Sequence, residues 1–273
     1  MTDNTEQIDY WNGSAGENWV ETYPVIDRLL EPLSSVAVAH ANAQPGQKVI
    51  DVGCGCGGTS LKLAEHGAQV LGVDISAPMV AEAQRRAQGL SNLTFDVADA
   101  SSHVYTADHQ LAFSRFGVMF FADPIAAFTN IRAALLPGGR LVFICWQSPM
   151  VNPWIAIPGG VIQELQPAAA PSDPDAPGPF SLADETRLRD TLASAGFNSV
   201  SVDSLERELT LGTDMDEAML FQRRIGPLSS YLAEHPGEEG EIARGKVEAA
   251  LAPYQNATGV HMNAATWLVT AHA

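Results

Sequence analysis

The chain alternates two kinds of apolar pattern. Short runs of β-branched and aliphatic residues, as in strands buried on both faces, alternate with stretches whose apolar positions recur every three or four residues. Val49-Ile50 runs into Asp51 and a glycine-rich turn, after which Leu61, Leu63 and Ala64 follow at helical spacing up to Gly67. Residues 68–74 (AQVLGVD) read as a second strand, and Ser76 then caps a helix with Pro78 in its first turn and Met79, Val80 and Ala83 on one face. Leu93 to Val97 is a third strand, and a fourth begins near Leu111 and ends near Phe113 or Ser114. Asp123-Pro124 opens a helix as cap and first-turn proline, and the turn Leu136-Pro137-Gly138-Gly139-Arg140 feeds a fifth strand from Leu141 to Trp146. Asp184 caps a helix running to Gly196, Val200 to Leu205 alternates as a strand, and Ala264 to Thr270 forms the last one. Strands separated by helices predict an α/β fold.

Two regions break this rhythm. Residues 8–40 carry Tyr10, Trp11, Trp19 and Tyr23 beside an apolar pattern through Val25, Ile26, Leu29, Leu30 and Leu33, which predicts two helices broken near Asn12-Gly13 and Pro24. The aromatics fit helices docked on the main domain, or a lid that closes a site and excludes water. From Gln147 to Pro179 prolines scatter and then cluster within residues 167–180, where no regular element can hold. Ahead of that cluster, Trp154 to Leu165 reads as a short helix. A helix opened by Thr213 and kinked near Gly226-Pro227, and another from Glu238 to about Leu251, fall between the last two strands. The expected organisation is one structural domain: a helical lid (1–45), a core (46–146), a cap insertion (147–183) and the rest of the core (184–273) with inserted cap helices at 213–252.

The first strand–turn–helix carries the chemistry. Glycines let the turn take positive φ and let a ligand lie against backbone, and the helix N-terminus that follows offers free N–H groups. Gly53, Gly55 and Gly58 satisfy the G-x-G-x-x-G spacing of dinucleotide sites, whereas Gly53, Gly55 and Gly57 with Asp51 satisfy the acidic-x-Gly-x-Gly-x-Gly run of S-adenosylmethionine (SAM) enzymes. Asp51, expected at the mouth of the turn, would repel a pyrophosphate. It would attract a sulfonium and an ammonium by on the order of 1–4 kcal/mol at partly exposed contact distance. Asp74 ends the second strand, where an acid accepts from ribose hydroxyls in either class of site.

From Val49 to Trp146 the sequence resembles class I SAM-dependent methyltransferases of the small-molecule type, quinone and natural-product methyltransferases among them. The resemblance implies a Rossmann-like, seven-stranded sheet, mostly parallel with one antiparallel strand, with helices on both faces and helical cap elements. It implies that Asp99 accepts from the adenine amine while the Ala100 N–H meets a ring nitrogen, and that the loop after the fourth strand reaches the sulfonium. Gln110 departs from the family, where Asp is common, at the cost of a charge but not of a hydrogen bond. The cofactor-binding residues expected on these grounds are Asp51, Gly53, Cys54, Gly55, Gly57, Asp74, Ile75, Asp99, Ala100, Ser114 and Phe116. The substrate-facing ones are Tyr10, Trp11, Trp19, Met119, Trp146 and Trp154. The cofactor implied is SAM, with S-adenosylhomocysteine as product, and the acceptor a small apolar or aromatic, quinone-like molecule. Two alternatives stand beside this: a SAM-binding protein of the same fold that transfers no methyl, and an NAD(P)-dependent reductase.

Charge narrows the partners. Against 32 acids the chain has 15 bases, only Lys48, Lys62 and Lys246 being lysines, so its net charge of −17 repels phosphate backbones and disfavours nucleic acid. The basic pairs Arg85-Arg86 and Arg223-Arg224 read as solvated helix faces. No apolar run reaches the length of a membrane span, and the polar start MTDNTEQIDY is no signal peptide, so no membrane partner and a cytoplasmic location are expected. Three cysteines make no disulfide framework, and Cys54-x-Cys56 has no second pair at zinc spacing, so no metal is expected. A monomer and a homodimer are equally compatible with the sequence. Of seven histidines, His261 before the last strand is the first to test as a general base.

Overall fold

The computed structural model describes residues 4–166 and 176–273, so most of the proline cluster lies outside the described residues. Strands β1 (Lys48–Val52), β2 (Gln69–Asp74), β3 (Leu93–Val97), β4 (His109–Arg115) and β5 (Leu135–Trp146) are joined by parallel pairings. Two long strands, β6 (Asn198–Gly212) and β8 (Gly259–His272), complete the sheet in the order β3-β2-β1-β4-β5-β8-β6. β8 runs antiparallel to both β5 and β6. The two-residue β7 (Gln255–Asn256) pairs with β8 and makes an eighth strand where seven were expected. Strand order reverses between β1 and β4, so a crevice opens at their carboxyl ends, the position where open α/β sheets bind ligands.

The central strands read as apolar runs because both faces are covered. Ile50, Leu111, Phe113, Leu141, Phe143 and Ile144 are wholly inaccessible to solvent. Flanking helices α4 (Gly58–Glu65), α5 (Ala77–Arg86), α6 (Pro124–Ala133) and α8 (Glu185–Ser194) follow the expected places. The Asp123 carboxylate accepts from the Ala126 N–H and that of Asp184 from the Arg187 N–H, so both caps form as read. Ser76 does not cap α5. Its hydroxyl donates to the Trp11 carbonyl instead, a partner distant in sequence. Gln110 accepts from the Lys48 N–H at 2.7 Å, which keeps the expected hydrogen bond between β4 and β1.

The N-terminal region differs from expectation in number and breakpoints. It forms three helices, α1 (Thr5–Asn12), α2 (Ser14–Leu29) and α3 (Glu31–Ala41), broken at Gly13 and Leu30, with Pro24 inside α2. A proline forfeits one helix bond, but Ile26 and Leu29 beyond it are buried, and that packing carries the helix through. Between β6 and β8 stand α9 (Met215–Arg224), α10 (Pro227–Glu234) and α11 (Glu238–Leu251), with Gly226 separating the first two completely where a kink was expected. The earlier α7 (Pro153–Leu165) packs against α10 and α11, so the cap before β6 and the cap after it form one layer. Among the described residues no helix is long and apolar enough to cross a membrane.

Asn152 ties that layer to the sheet. Wholly buried, it donates to the Ala265 carbonyl and accepts from the Ala265 N–H at 2.9 Å and the Trp154 indole at 3.1 Å. Asn152→Ala would strand at least two buried donors, an expected loss of about 2–3 kcal/mol of stability in urea unfolding. A loss below about 0.5 kcal/mol would mean that water replaces the side chain.

Candidate active site

The floor of the crevice is a meeting of two backbones. Gly53, with φ +65°, lies so near Gly117 that a Cβ on either residue would come within 2.6 or 2.7 Å of the other's Cα. Ser114 fastens the contact, its hydroxyl donating to the Val52 carbonyl and accepting from the Gly117 N–H. On the other side, the N–H groups of Gly53 and Cys54 both donate to the Val73 carbonyl. Phe116 is forced to φ +64°, a region costly for a bulky side chain, and its ring stacks on Trp146 at 4.2 Å and 11°.

The three strand-end acids occupy different environments. Asp51 is wholly buried beneath the turn, not at its mouth: Oδ2 accepts from the Thr59 and Ser60 hydroxyls at 2.8 and 2.5 Å. Its Oδ1 has no hydrogen-bond partner among the described residues. Burial pushes the Asp51 carboxyl up to about 6, against the opposing pull of those hydroxyls and of Arg115. Asp74 is also buried, but it lines the cavity, Oδ2 accepting from the Gly55 N–H at 2.8 Å and Oδ1 from the Ser76 N–H at 2.9 Å. Burial raises its pKa, and the backbone donors oppose the rise. Asp99 lines the cavity too, with Oδ1 accepting from the Ser101 N–H.

The glycine turn, Asp74 and Asp99 border one cavity of about 390 Å³. Of the residues read as cofactor-binding, Gly53, Cys54, Gly55, Asp74, Ile75, Asp99, Ala100 and Phe116 line it. Three do not: Asp51 lies under the turn, Ser114 spends its hydroxyl on the floor, and Gly57 faces Ala83 and Phe95. All six substrate-facing candidates, Tyr10, Trp11, Trp19, Met119, Trp146 and Trp154, line the cavity. Trp11 meets Trp19 and Phe120 edge to face at 5.8 and 5.3 Å, and Trp146 leans on Trp154 at 4.8 Å. His261 is away from it, bonded to the Thr210 and Thr258 hydroxyls at 3.2 and 2.9 Å, because its strand register turns it toward β6.

Several lining residues escaped the sequence reading: Arg115, Phe180, Leu209, Phe221, Ile225 and Ser230. Only Phe221 and Ile225 had a signal, as apolar positions of a cap helix; the others arrive through long-range packing. Arg86 was read as solvated, yet it donates to the Cys56 carbonyl and to Asp27 and lies over the Tyr23 ring. The cysteines Cys54, Cys56 and Cys145 are free and buried.

The donor set fits an adenosyl sulfonium. Asp74 and Asp99 present acceptors suited to a diol and an amine, and the open space at Gly55, where an added Cβ would meet nothing closer than 3.8 Å, admits a ligand against backbone. A pyrophosphate would face two carboxylates and a single cationic side chain, Arg115, among the described lining residues.

Residues 49–139 match the family model described as "Methyltransferase domain". Phosphoethanolamine N-methyltransferase 1 of Arabidopsis thaliana is 38% identical over 108 residues, covering 38% of this chain and 22% of the plant protein. The namesake from Triticum aestivum is 32% identical over 194 residues, covering 67% of this chain and 36% of that protein. The chain thus spans well under half the length of these relatives. The solved structure of Haemonchus contortus phosphoethanolamine N-methyltransferase 2 in complex with S-adenosyl-L-methionine superposes with a TM-score of 0.61 at 18% identity, over all of this chain and 60% of that one. That likeness establishes the fold.

Asp51 yields a pH test. In the folded protein its carboxyl holds the proton up to about 6, whereas the unfolded chain releases it near about 4. The folded state binds more protons in that window, so stability falls as pH rises through it, by about 1 kcal/mol of the total between pH 5 and pH 7. In Asp51→Asn this component is absent. Urea unfolding of both proteins at pH 5 and pH 7 should show the variant gaining on the wild type by that amount, and a pH-independent difference would overturn the assignment.

Proposed function

We propose that this chain, whose residues 49–139 match a methyltransferase-domain model, is a class I SAM-dependent methyltransferase that transfers a methyl group from SAM to a small apolar, aromatic or quinone-like acceptor. When bound, SAM supplies a methyl group on a sulfonium leaving group, so one in-line displacement completes the transfer. The chain's own part is to hold two molecules in line and keep water away. Asp74 is suited to accept from the ribose hydroxyls, Asp99 from the adenine amine, and the Ala100 N–H to meet a ring nitrogen. The core, 46–146, would hold the cofactor. The lid segment before it and the two caps would enclose the acceptor, with Trp11 and Trp19 of α1 and α2 as closing elements.

The observation that carries the acceptor class is the wall beyond Phe116. Trp146, Trp154, Phe120, Phe180 and Phe221 line the cavity, and among the described lining residues a single Lys or Arg, Arg115, accompanies them, held by Asp27. Such a wall favours flat apolar molecules and offers little to a phosphate ester. The phosphoethanolamine named for the relatives therefore does not transfer readily, since they are matched over only 22% to 36% of their own length.

Calorimetry with SAM, S-adenosylhomocysteine and NADH separates the cofactor classes. Binding of the sulfur compounds alone is expected, and binding of NADH alone would overturn the assignment. Asp74→Ala is expected to weaken S-adenosylhomocysteine by about 1–3 kcal/mol, as for lost charge-assisted hydrogen bonds; unchanged affinity would remove Asp74 from the site. For the acceptor, methyl transfer from labelled SAM should be seen with a panel of phenols and hydroquinones and not with phosphoethanolamine. The reverse pattern would sink the apolar reading.

A further inference from the structure

Outside the main cavity, a second cleft lies between the N-terminal helices and α4, lined by Asp27, Arg28, Glu31, Lys62, Arg86 and Arg115 among others. Arg115 borders both spaces, and Asp27, which lines the second, is bonded to it. From α2, Asp27 accepts from the Arg115 guanidinium at 3.0 Å through Oδ1 and from that of Arg86 at 3.1 Å through Oδ2. Arg115 ends β4 and also donates to the Ser34 hydroxyl of α3 at 3.1 Å. Arg86 ends α5, donates to the Cys56 carbonyl inside the glycine turn at 2.7 Å, and lies 4.4 Å from the Tyr23 ring centre on α2. One carboxylate thus connects the lid helix to two core elements and to the turn.

Gly58 reinforces this assignment. It completes a dinucleotide spacing in the sequence, yet a Cβ there would lie 2.6 Å from Asp27 Oδ1. A side chain there would press on the Asp27 carboxylate, which approaches the first turn of α4, where the partial positive charge favours it. Charged groups half out of water and held from four sides are more ordered than a typical surface pair: the side chains of Arg115, Arg86 and Asp27 are 12%, 19% and 24% exposed.

We propose that Asp27 is a positioning residue for the cofactor's amino-acid end. By gripping Arg115 and Arg86 together it holds α2 on the core and keeps the Arg115 guanidinium in the cavity wall, where it serves as the cation for the amino-acid carboxylate. Seating of the lid helix and recognition of that carboxylate are then one event. This rests on the SAM reading of the main cavity. The carboxylate needs a cationic partner, and among the described lining residues Arg115 is the one Lys or Arg. Trp19, Ile26 and Leu29 of the same helix also line the cavity, so α2 borders the space that Arg115 enters.

The test compares S-adenosylhomocysteine with 5′-methylthioadenosine, which keeps the adenosyl thioether and lacks the amino-acid end. The wild type should bind the former more tightly. Asp27→Asn should cost S-adenosylhomocysteine about ten-fold in calorimetric affinity, the scale of one charge-assisted contact, and leave methylthioadenosine nearly unchanged. The same variant should raise the KM for SAM while kcat at saturating cofactor stays close to wild type. Should Asp27→Asn fail to fold, Arg86→Met removes one grip, and a smaller loss confined to S-adenosylhomocysteine is expected. Equal losses for both ligands, or none for either, would overturn the positioning role. A wild type that binds neither ligand would instead overturn the SAM reading, and one that binds both equally would overturn the positioning role alone.

Discussion

The contact between Gly53 and Gly117 is the constraint from which the site follows. Neither residue has room for a Cβ, and Ser114 closes the gap with two hydrogen bonds. The close approach fixes how the ends of β1 and β4 meet at the point where strand order reverses. It also dictates what comes next in the chain: Phe116 must turn through positive φ to reach Gly117, and that turn lays its ring flat on Trp146. The floor of the cavity and the aromatic wall beside it are therefore set by one backbone contact. Strain at Phe116, of order 1–3 kcal/mol, is held in place by packing on both sides.

The acids at the strand ends divide their work by burial. Asp51 lies beneath the turn, and its pKa is raised because it is taken out of water with two hydroxyls to compensate. Its hydroxyl partners come from the first turn of α4, so it ties the helix start to the strand that precedes it. Asp74 receives backbone N–H groups from both sides, which freezes the turn and the start of the β2–α5 loop together. Of these three acids Asp74 and Asp99 line the cavity, whereas Asp51, expected at the mouth of the turn, is buried beneath it.

What could be read from the sequence was local. The glycine turn, the caps at Asp123 and Asp184, and helix α11 from Glu238 to Leu251 depend on neighbours a few residues away, and they lie where the pattern puts them. The strands β6 and β8 were read as residues 200–205 and 264–270, less than half of the first and half of the second. β6 is a sheet edge, so exposed positions such as Glu206, Arg207 and Glu208 carry charge and break the apolar alternation. Arg86, expected on a solvated helix face, pairs instead with Asp27, 59 positions away, and Arg115 meets the same carboxylate from 88 positions away. Half of the site lies in such pairings, and no window of sequence contains them.

The length of β6 and β8 gives the acceptor side its own logic. A plain hairpin would end these strands at the sheet; here their pairing runs on from Asn198 to Gly212 and bears α9, α10 and α11 at its far end. A pair of strands at about 3.4 Å per residue is a stiff arm, much stiffer than a loop of equal length. It brings Leu209, Phe221 and Ser230 to a cavity whose other side is built by the glycine turn. Because α7 packs against α10 and α11, the arm is braced and the cap moves, if at all, as one layer. The glycine turn, Asp74 and Asp99 lie within the residues that match the family model, whereas Trp11, Trp154, Leu209 and Phe221 reach the same cavity from the N-terminal helices, α7 and this arm. A relative can therefore share the domain and differ in the walls of the cavity, so likeness of the fold alone does not carry an acceptor from one protein to another.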